Sequence, residues 1–440
     1  MFELAFDFLE EINDFLWGYI GAFLILSIGL FFTVKSRIMQ LREFPKIFGY
    51  FIKCFEIKKE KGPKSTLPTP IKAFFASLGG CVGIGNLVAV AIAVQVGGPG
   101  ALVWVWIVAF LGMILKYSEI YLGIKYRKQN PDGTYSGGPM FFLSKAFPKL
   151  PWVPYLMASL LCIYGVEIFM FATIKESLVI NWSLPPLWVS LGLLALILFS
   201  VRGGVQRIGN ISGIMISVFI VVYLGMTGWV LWQNLDVIPE MFFLIFSTAF
   251  TGHAAVGGFA GSTLLIAMSK GISSACYSGD VGIGYASIIH SEAKTDSPEK
   301  QASLSIAGIF LDTFVVCTCT ILLLLSTGVW TMPIEGSLLV QTALGKYFPY
   351  MNIFMPIFLF ALGFSTIIAY MFAGLKSARF IFPTYGEKAY YVFATASFMI
   401  FSFFDARYAL TVMYISGGLL MTINLPAILK LWRSVVFDIR

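Results

Sequence analysis

The stretch "GGCVGIGN", Gly79–Asn86, lies inside an apolar run, "AFFASLGGCVGIGNLVAVAIAV" (73–94), and puts four glycines into seven residues. Each glycine costs a helix roughly 1 kcal/mol relative to alanine. A near copy, "GDVGIGYA", Gly279–Ala286, returns about 200 residues later. Two similar interruptions in apolar runs predict two helices that break at mid-span.

The composition says what surrounds them. Of 440 residues, 58% are hydrophobic and only 12% charged, too few charges for a soluble protein of this size. Many apolar runs reach the ~20 residues needed to cross a bilayer. The chain therefore reads as an all-α polytopic membrane protein. Eleven spans are expected, near 15–34, 73–95, 101–124, 153–174, 187–201, 211–232, 272–292, 302–328, 351–375, 389–404 and 408–431. The acidic start has no Lys or Arg before Lys35, so no signal peptide is expected. "AAVGGFAGSTLLIAM" (254–268) is short and glycine-rich, and reads as an interfacial or re-entrant segment.

Charge sets the orientation. With the N-terminus outside and the C-terminus cytoplasmic, the expected inner segments hold 25 of the 30 Lys and Arg residues. The net charge of +7 is thus mainly a topology signal and requires no nucleic-acid partner. The basic stretch 46–64 is expected to lie amphipathically along the inner leaflet. Six cysteines give no C-x-x-C and no zinc pattern.

On this map each glycine-broken span opens a set of five. The chain divides into an N-terminal helix with its basic segment (1–72), a first five-helix repeat (73–232), an outer connection (233–269), a second repeat (270–432) and a tail (433–440). Five is odd, so the second set is inverted relative to the first, a layout found in secondary transporters. A mid-membrane break frees backbone N–H and C=O groups that lipid cannot satisfy. The half-helix beginning near Asn86 offers N–H groups to a carboxylate, and the one ending near Gly79 offers carbonyls to a cation. Gly83, Gly85, Asn86, Gly279, Asp280 and Gly282 are the expected solute-binding positions, and a zwitterion suits them.

Charged residues inside spans need a partner or a task. Glu119 follows Lys116 by one turn, and the two are expected to pair. Asp312 reads either as a structural contact or as a gate. Glu167 has no evident local partner, and reads either as a neutral packing group or as a proton-coupling acid. His290 caps its helix or faces the inner vestibule. No H-E-x-x-H or G-x-x-x-x-G-K-[ST] motif is present, and Gly83-x-Gly85 lacks the rest of a dinucleotide fingerprint, so an enzyme is not expected.

Several of these stretches carry a resemblance. Residues 79–127, "GGPMFFL" (137–143), "AAVGGFAGST" (254–263), "AKTDSPEKQ" (293–301), "GIFLDTFVVCTCT" (308–320) and "FSTII" (364–368) closely resemble the alanine or glycine:cation symporters. The resemblance implies a leucine-transporter-like fold with an extra N-terminal helix, in a bacterial inner membrane. It also implies symport of small neutral amino acids with sodium as coupling ion, and no other cofactor. Carried over by motif, the carbonyls of Gly79 and Val82 and the hydroxyls of Ser365 and Thr366 would hold the sodium. Departures from the pattern fall at Gly279, Asp280, Tyr285, Ile84, Phe171 and Tyr370, of which Phe171, Tyr285 and Tyr370 are carried as solute contacts. Because of them, a proton-coupled permease and a non-transporting binding or sensing protein stay as alternatives.

Overall fold

The computed structural model describes residues 2–56, 67–251, 264–295 and 297–439. Apart from a two-stranded hairpin, β1 (Lys128–Gln129) with β2 (Tyr135–Ser136), every regular element among them is helical. The chain opens with α1 (Phe6–Lys35), then α2 (Phe44–Glu56), which covers the first part of the basic stretch 46–64. Residues 57–64 of that stretch lie outside the described residues.

The first glycine cluster does break its helix. α3 (Pro70–Cys81) ends where Val82 turns extended, with φ −73° and ψ 95°. The chain resumes as a π turn over Gly85–Ala89 and runs on as α4 (Val90–Gly97). α5 (Ala101–Lys125) is unbroken, and α6 (Pro139–Ala146) follows the hairpin.

The span expected at 153–174 differs from its reading in two ways. It runs on to Trp182, and it is interrupted between α7 (Val153–Tyr164) and α8 (Ile168–Trp182). Glu167 sits in that gap in the left-handed region, at φ 56° and ψ 50°. α9 (Pro186–Val201) and α10 (Gly204–Gln233) close this half of the molecule.

α11 (Ile238–Thr251) leads into residues 252–263, outside the described residues, where most of the expected re-entrant segment falls. Its last part, 264–268, belongs instead to α12 (Leu264–Gly279), so this helix starts eight residues before the expected 272. α12 breaks over Asp280–Gly284 and resumes as α13 (Tyr285–Ser291). The remainder is α14 (Pro298–Thr327), α15 (Gly336–Gly345), α16 (Met351–Ile381), α17 (Gly386–Phe401) and α18 (Ala406–Lys430). α3, α6, α9 and α14 carry proline in their first turn, where its missing N–H costs nothing.

Among the described residues, eight helices are long and apolar enough to cross a membrane. The broken helices lie at the centre of the bundle. The Pro70–Gly97 window is almost wholly buried, whereas Gly204–Gln233 turns most of its surface outward. Ile214, Val218 and Val221 are exposed along α10, and Trp229 and Trp232 are exposed at its end. Such a stripe suits hydrocarbon, with indoles at its edge.

α3 packs against α10, and α5 packs along α12, α13 and α14. The α3–α10 approach is close: a Cβ on Gly209 would come within 2.3 Å of the Lys72 carbonyl oxygen. Gly209→Ala should therefore destabilise the protein by about 1–3 kcal/mol, the usual cost of overpacking. Gly192→Ala, with nothing within 4 Å, serves as the neutral control. Thermal unfolding of both variants in detergent checks the difference.

Candidate functional site

At the first break, Asn86 is spent on the chain itself. Its Oδ1 accepts the Gly83 N–H at 2.9 Å, closing the loop that the glycines open. Its Nδ2 donates to Asp312 Oδ1 at 2.6 Å and to Cys317 Sγ at 3.3 Å. Asp312 Oδ2 in turn accepts from the Thr313 hydroxyl at 2.8 Å. Of the two readings of Asp312, the structural contact is the one the bonds describe.

On the other side of this break, the Thr366 hydroxyl of α16 donates to the Gly79 carbonyl at 2.9 Å. The same hydroxyl lies 2.4 Å from where a Cβ on Gly83 would stand, so only glycine fits there. Ser365 turns away and donates to the Leu362 carbonyl of its own helix at 2.8 Å. Gly79, Gly83 and Thr366 thus meet, with Val82 at the point where the helix ends. Gly85 lies against Tyr277 and Ser278 of α12.

The second break is built differently. Asp280 is left-handed at φ 52°; its Oδ2 accepts the Ala286 N–H at 3.0 Å and its Oδ1 the Tyr370 hydroxyl at 3.3 Å. Tyr370 stacks on Tyr285 at 4.0 Å between centroids, and the Tyr285 hydroxyl donates to the Ala76 carbonyl of α3 at 3.1 Å. These aromatics join the two broken helices through α16. The Gly282 carbonyl is occupied by the Asn424 amide of α18 at 2.9 Å.

Lys116 corrects the expected pairing with Glu119. Its ammonium donates to the Gly279 carbonyl at 2.8 Å and lies 4.0 Å from Asp280 Oδ2. Glu119 accepts instead from Asn424 at 2.8 Å. An i, i+3 pair on one helix is worth only about 0.2–0.5 kcal/mol, less than a buried carbonyl and carboxylate offer an ammonium. Phe171, expected as a solute contact, lies one turn after Glu167 and stacks on Phe398 of α17 at 4.6 Å.

Glu167 lies at the third break, fully buried. Its Oε2 accepts the Tyr277 hydroxyl of α12 at 2.7 Å, and its Oε1 has no hydrogen-bond partner. Tyr164 stands edge-on to both Tyr277 and Tyr370. A single aromatic wall therefore runs from the third break to the second. His290 caps no helix end with its ring; its Nδ1 bonds Gln301 Nε2 at 2.8 Å.

A cavity of about 800 Å³ opens at one end of the bundle, bounded by the hairpin, the start of α10 and the ends of α13 and α16. Lys128, Arg202, Lys376 and Arg379 line it with Asp132, Glu292 and Glu387. Lys376 pairs with Glu292, bridging α16 to the residue after α13. The hairpin, Arg202 and the segments around Glu292 and Lys376 thus meet at one end of the bundle.

Comparison with known proteins agrees with this architecture. Residues 3–440 match the model of the sodium:alanine symporter family. An uncharacterized transporter of Bacillus subtilis, YflA, is 34% identical over 380 residues, covering 85% of this chain and 80% of its own length. The sodium/alanine symporter AgcS of Methanococcus maripaludis is 29% identical over 416 residues, covering 92% and 89%. Among solved structures, MhsT in complex with L-phenylalanine superposes with a TM-score of 0.59 at 14% identity, over 82% of this chain and 89% of that one. That likeness shows a shared transporter fold. The chain belongs to the sodium:alanine symporter family: it is a multi-pass membrane protein of secondary amino-acid transport, not an enzyme.

Because Asn86 closes the loop from within, its loss should be felt without any solute. Asn86→Ala leaves the Gly83 N–H and one Asp312 oxygen unpartnered, at about 1–3 kcal/mol each. The unliganded variant should melt well below the unsubstituted protein in detergent. An unchanged melting temperature would return Asn86 to a purely solute-binding role.

Proposed function

We propose that this member of the sodium:alanine symporter family couples inward sodium flow to uptake of a small neutral amino acid, alanine or glycine first. It would work by alternating access around its paired helix breaks. The observation that carries the reading is the contact between Thr366 and the Gly79 carbonyl. A hydroxyl from α16 reaches a carbonyl at the open end of α3, the kind of neutral oxygen pair a hard monovalent cation prefers. Gly79, Val82 and Thr366 are the proposed ligands, with Ser365 joining by a rotation of its hydroxyl. Gly83, Gly85, Gly279, Gly282, Tyr285 and Tyr370 are proposed to surround the solute, and Asp280 to orient the second break.

The proposed topology keeps eleven crossings. To the eight long helices it adds α9, the α12–α13 pair and α17. It also keeps two inverted sets of five, with the N-terminus outside and the C-terminus in the cytoplasm of a bacterial inner membrane. The cavity lined by Lys376 and Glu292 is the inner vestibule in this reading. Names of relatives support the solute class: one is a sodium/alanine symporter, another a probable sodium/glutamine symporter.

Uptake of labelled alanine into proteoliposomes tests the proposal. A sodium gradient should drive concentrative uptake, and choline in its place should abolish it. Thr366→Val should raise the sodium needed for half-maximal uptake by about tenfold, equivalent to ~1.4 kcal/mol. Ser365→Ala should shift it less. Binding of alanine without concentrative uptake under any gradient would favour a sensing role.

A second reading rests on Glu167. A buried carboxyl with one oxygen unpartnered, held at a break and bonded to Tyr277 of the other broken helix, can exchange a proton between states. If it carries the coupling, Glu167→Gln should abolish uptake driven by a pH gradient while leaving solute exchange across the membrane intact. Uptake that keeps its full pH response in this variant would remove Glu167 from coupling.

A further inference from the structure

The Lys116 ammonium occupies an unusual place in the bundle. α3 ends at Cys81 and α12 ends at Gly279, so two helix C-termini, each equivalent to roughly −0.5 charge, face one small region. Lys116 Nζ lies there, 2.9 Å from Cys81 Sγ and 2.8 Å from the Gly279 carbonyl. The side chain is 4% exposed, and Asp280 stands 4.0 Å away.

Its position follows from backbone fit. α5 runs directly along the second break because Gly112, one turn before Lys116, leaves room for Val281; a Cβ there would sit 2.7 Å from the valine side chain. Beside the ammonium is a cavity with room for about one water molecule, lined by Cys81, Lys116, Gly279, His290 and Asp312. Both Asp312 oxygens are already bonded, to Asn86 and Thr313. The His290 ring is held by Gln301. Glu119, one turn along α5, is held by Asn424. Asp280, with Oδ2 4.0 Å from the ammonium, is the carboxylate that pairs with Lys116.

We infer that Lys116 is a tethered cation for the second helix break. Its ammonium fills, from within the chain, the place between the C-terminal ends of α3 and α12 that a free monovalent cation would otherwise occupy. In consequence the chain neutralises its second break once and permanently. A transported cation is left with the first break alone, a corollary that rests on the proposed Gly79–Thr366 site; the inference itself does not.

The test counts bound ions and needs no knowledge of the solute. Lys116→Met keeps the apolar stem and removes the charge, leaving Asp280 exposed to the vacated space and its adjoining cavity. Purified in detergent at about pH 9, where a carboxyl of ordinary pKa is ionised, K116M should bind about one more labelled sodium ion per chain than the unsubstituted protein. The double variant K116M/D280N should match the unsubstituted count at the same pH. Equal counts for K116M and the unsubstituted protein at pH 9 would overturn the inference. If K116M fails to fold, K116M/D280N should recover folding because it removes both charges; failure of both would assign Lys116 to packing and also overturn it. A count of zero in the unsubstituted protein would instead sink the sodium reading while leaving this comparison intact.

Discussion

A backbone opened inside a membrane must have its polar groups answered by the protein, and the centre of this molecule is organised by that demand. An unsatisfied amide in hydrocarbon costs several kcal/mol, more than the roughly 1 kcal/mol that each glycine subtracts from helix stability. What the breaks expose therefore matters more than what the glycines cost. Asn86 closes the first break, Asp280 and Lys116 close the second, and Thr366 reaches into the first from α16. Each of these residues comes from, or bonds to, a different helix, so satisfying the backbone also ties the bundle together.

The arrangement bears on how solute and ion can act. A ligand shifts a conformational equilibrium only through contacts that differ between states. Here the groups that could meet a ligand already hold internal partners: the Gly79 carbonyl has Thr366, the Gly83 N–H has Asn86, and Asp280 has Tyr370 and Ala286. Under the proposed reading, binding exchanges these bonds for bonds to the cargo instead of filling an idle site. The left-handed Glu167 and Asp280, with Gly282 and Gly284 at φ +74° and +104°, mark where the chain bends away from helix. They are natural hinge points for such an exchange.

Much of this was legible in the sequence, and the rest was hidden for definite reasons. Both glycine-rich breaks fall where the repeated phrase puts them, because glycine acts locally and three or four within seven residues leave a helix few alternatives. The break at Gly165–Glu167 was not foreseen, since one glycine in "LCIYGVEIFMF" gives no such signal. Its one local hint is an acid, Glu167, two residues after that glycine in an apolar run. Lys116 bonds the Gly279 carbonyl rather than Glu119, because spacing along one helix says nothing of the carbonyl that another helix brings. Asn424, which donates to both Glu119 Oε2 and the Gly282 carbonyl, gives no sequence signal for the same reason. The stacking of Phe171 on Phe398 is likewise a contact that spacing along α8 does not reveal.

The two breaks, alike in sequence, differ in electrostatics. The first is answered by neutral groups, a carboxamide and a hydroxyl, together with an aspartate that is bonded on both oxygens. The second is answered by a carboxylate and an ammonium, a buried pair whose attraction must offset the loss of water around two charges. A neutral oxygen set can exchange its internal hydrogen bond for a mobile cation, because no ammonium of the chain is seated in it. A set that already holds its own cation does not. Under the proposed reading the mobile cation belongs to the first break, while the second keeps a cation of the chain's own, even though the glycines that open them are nearly the same.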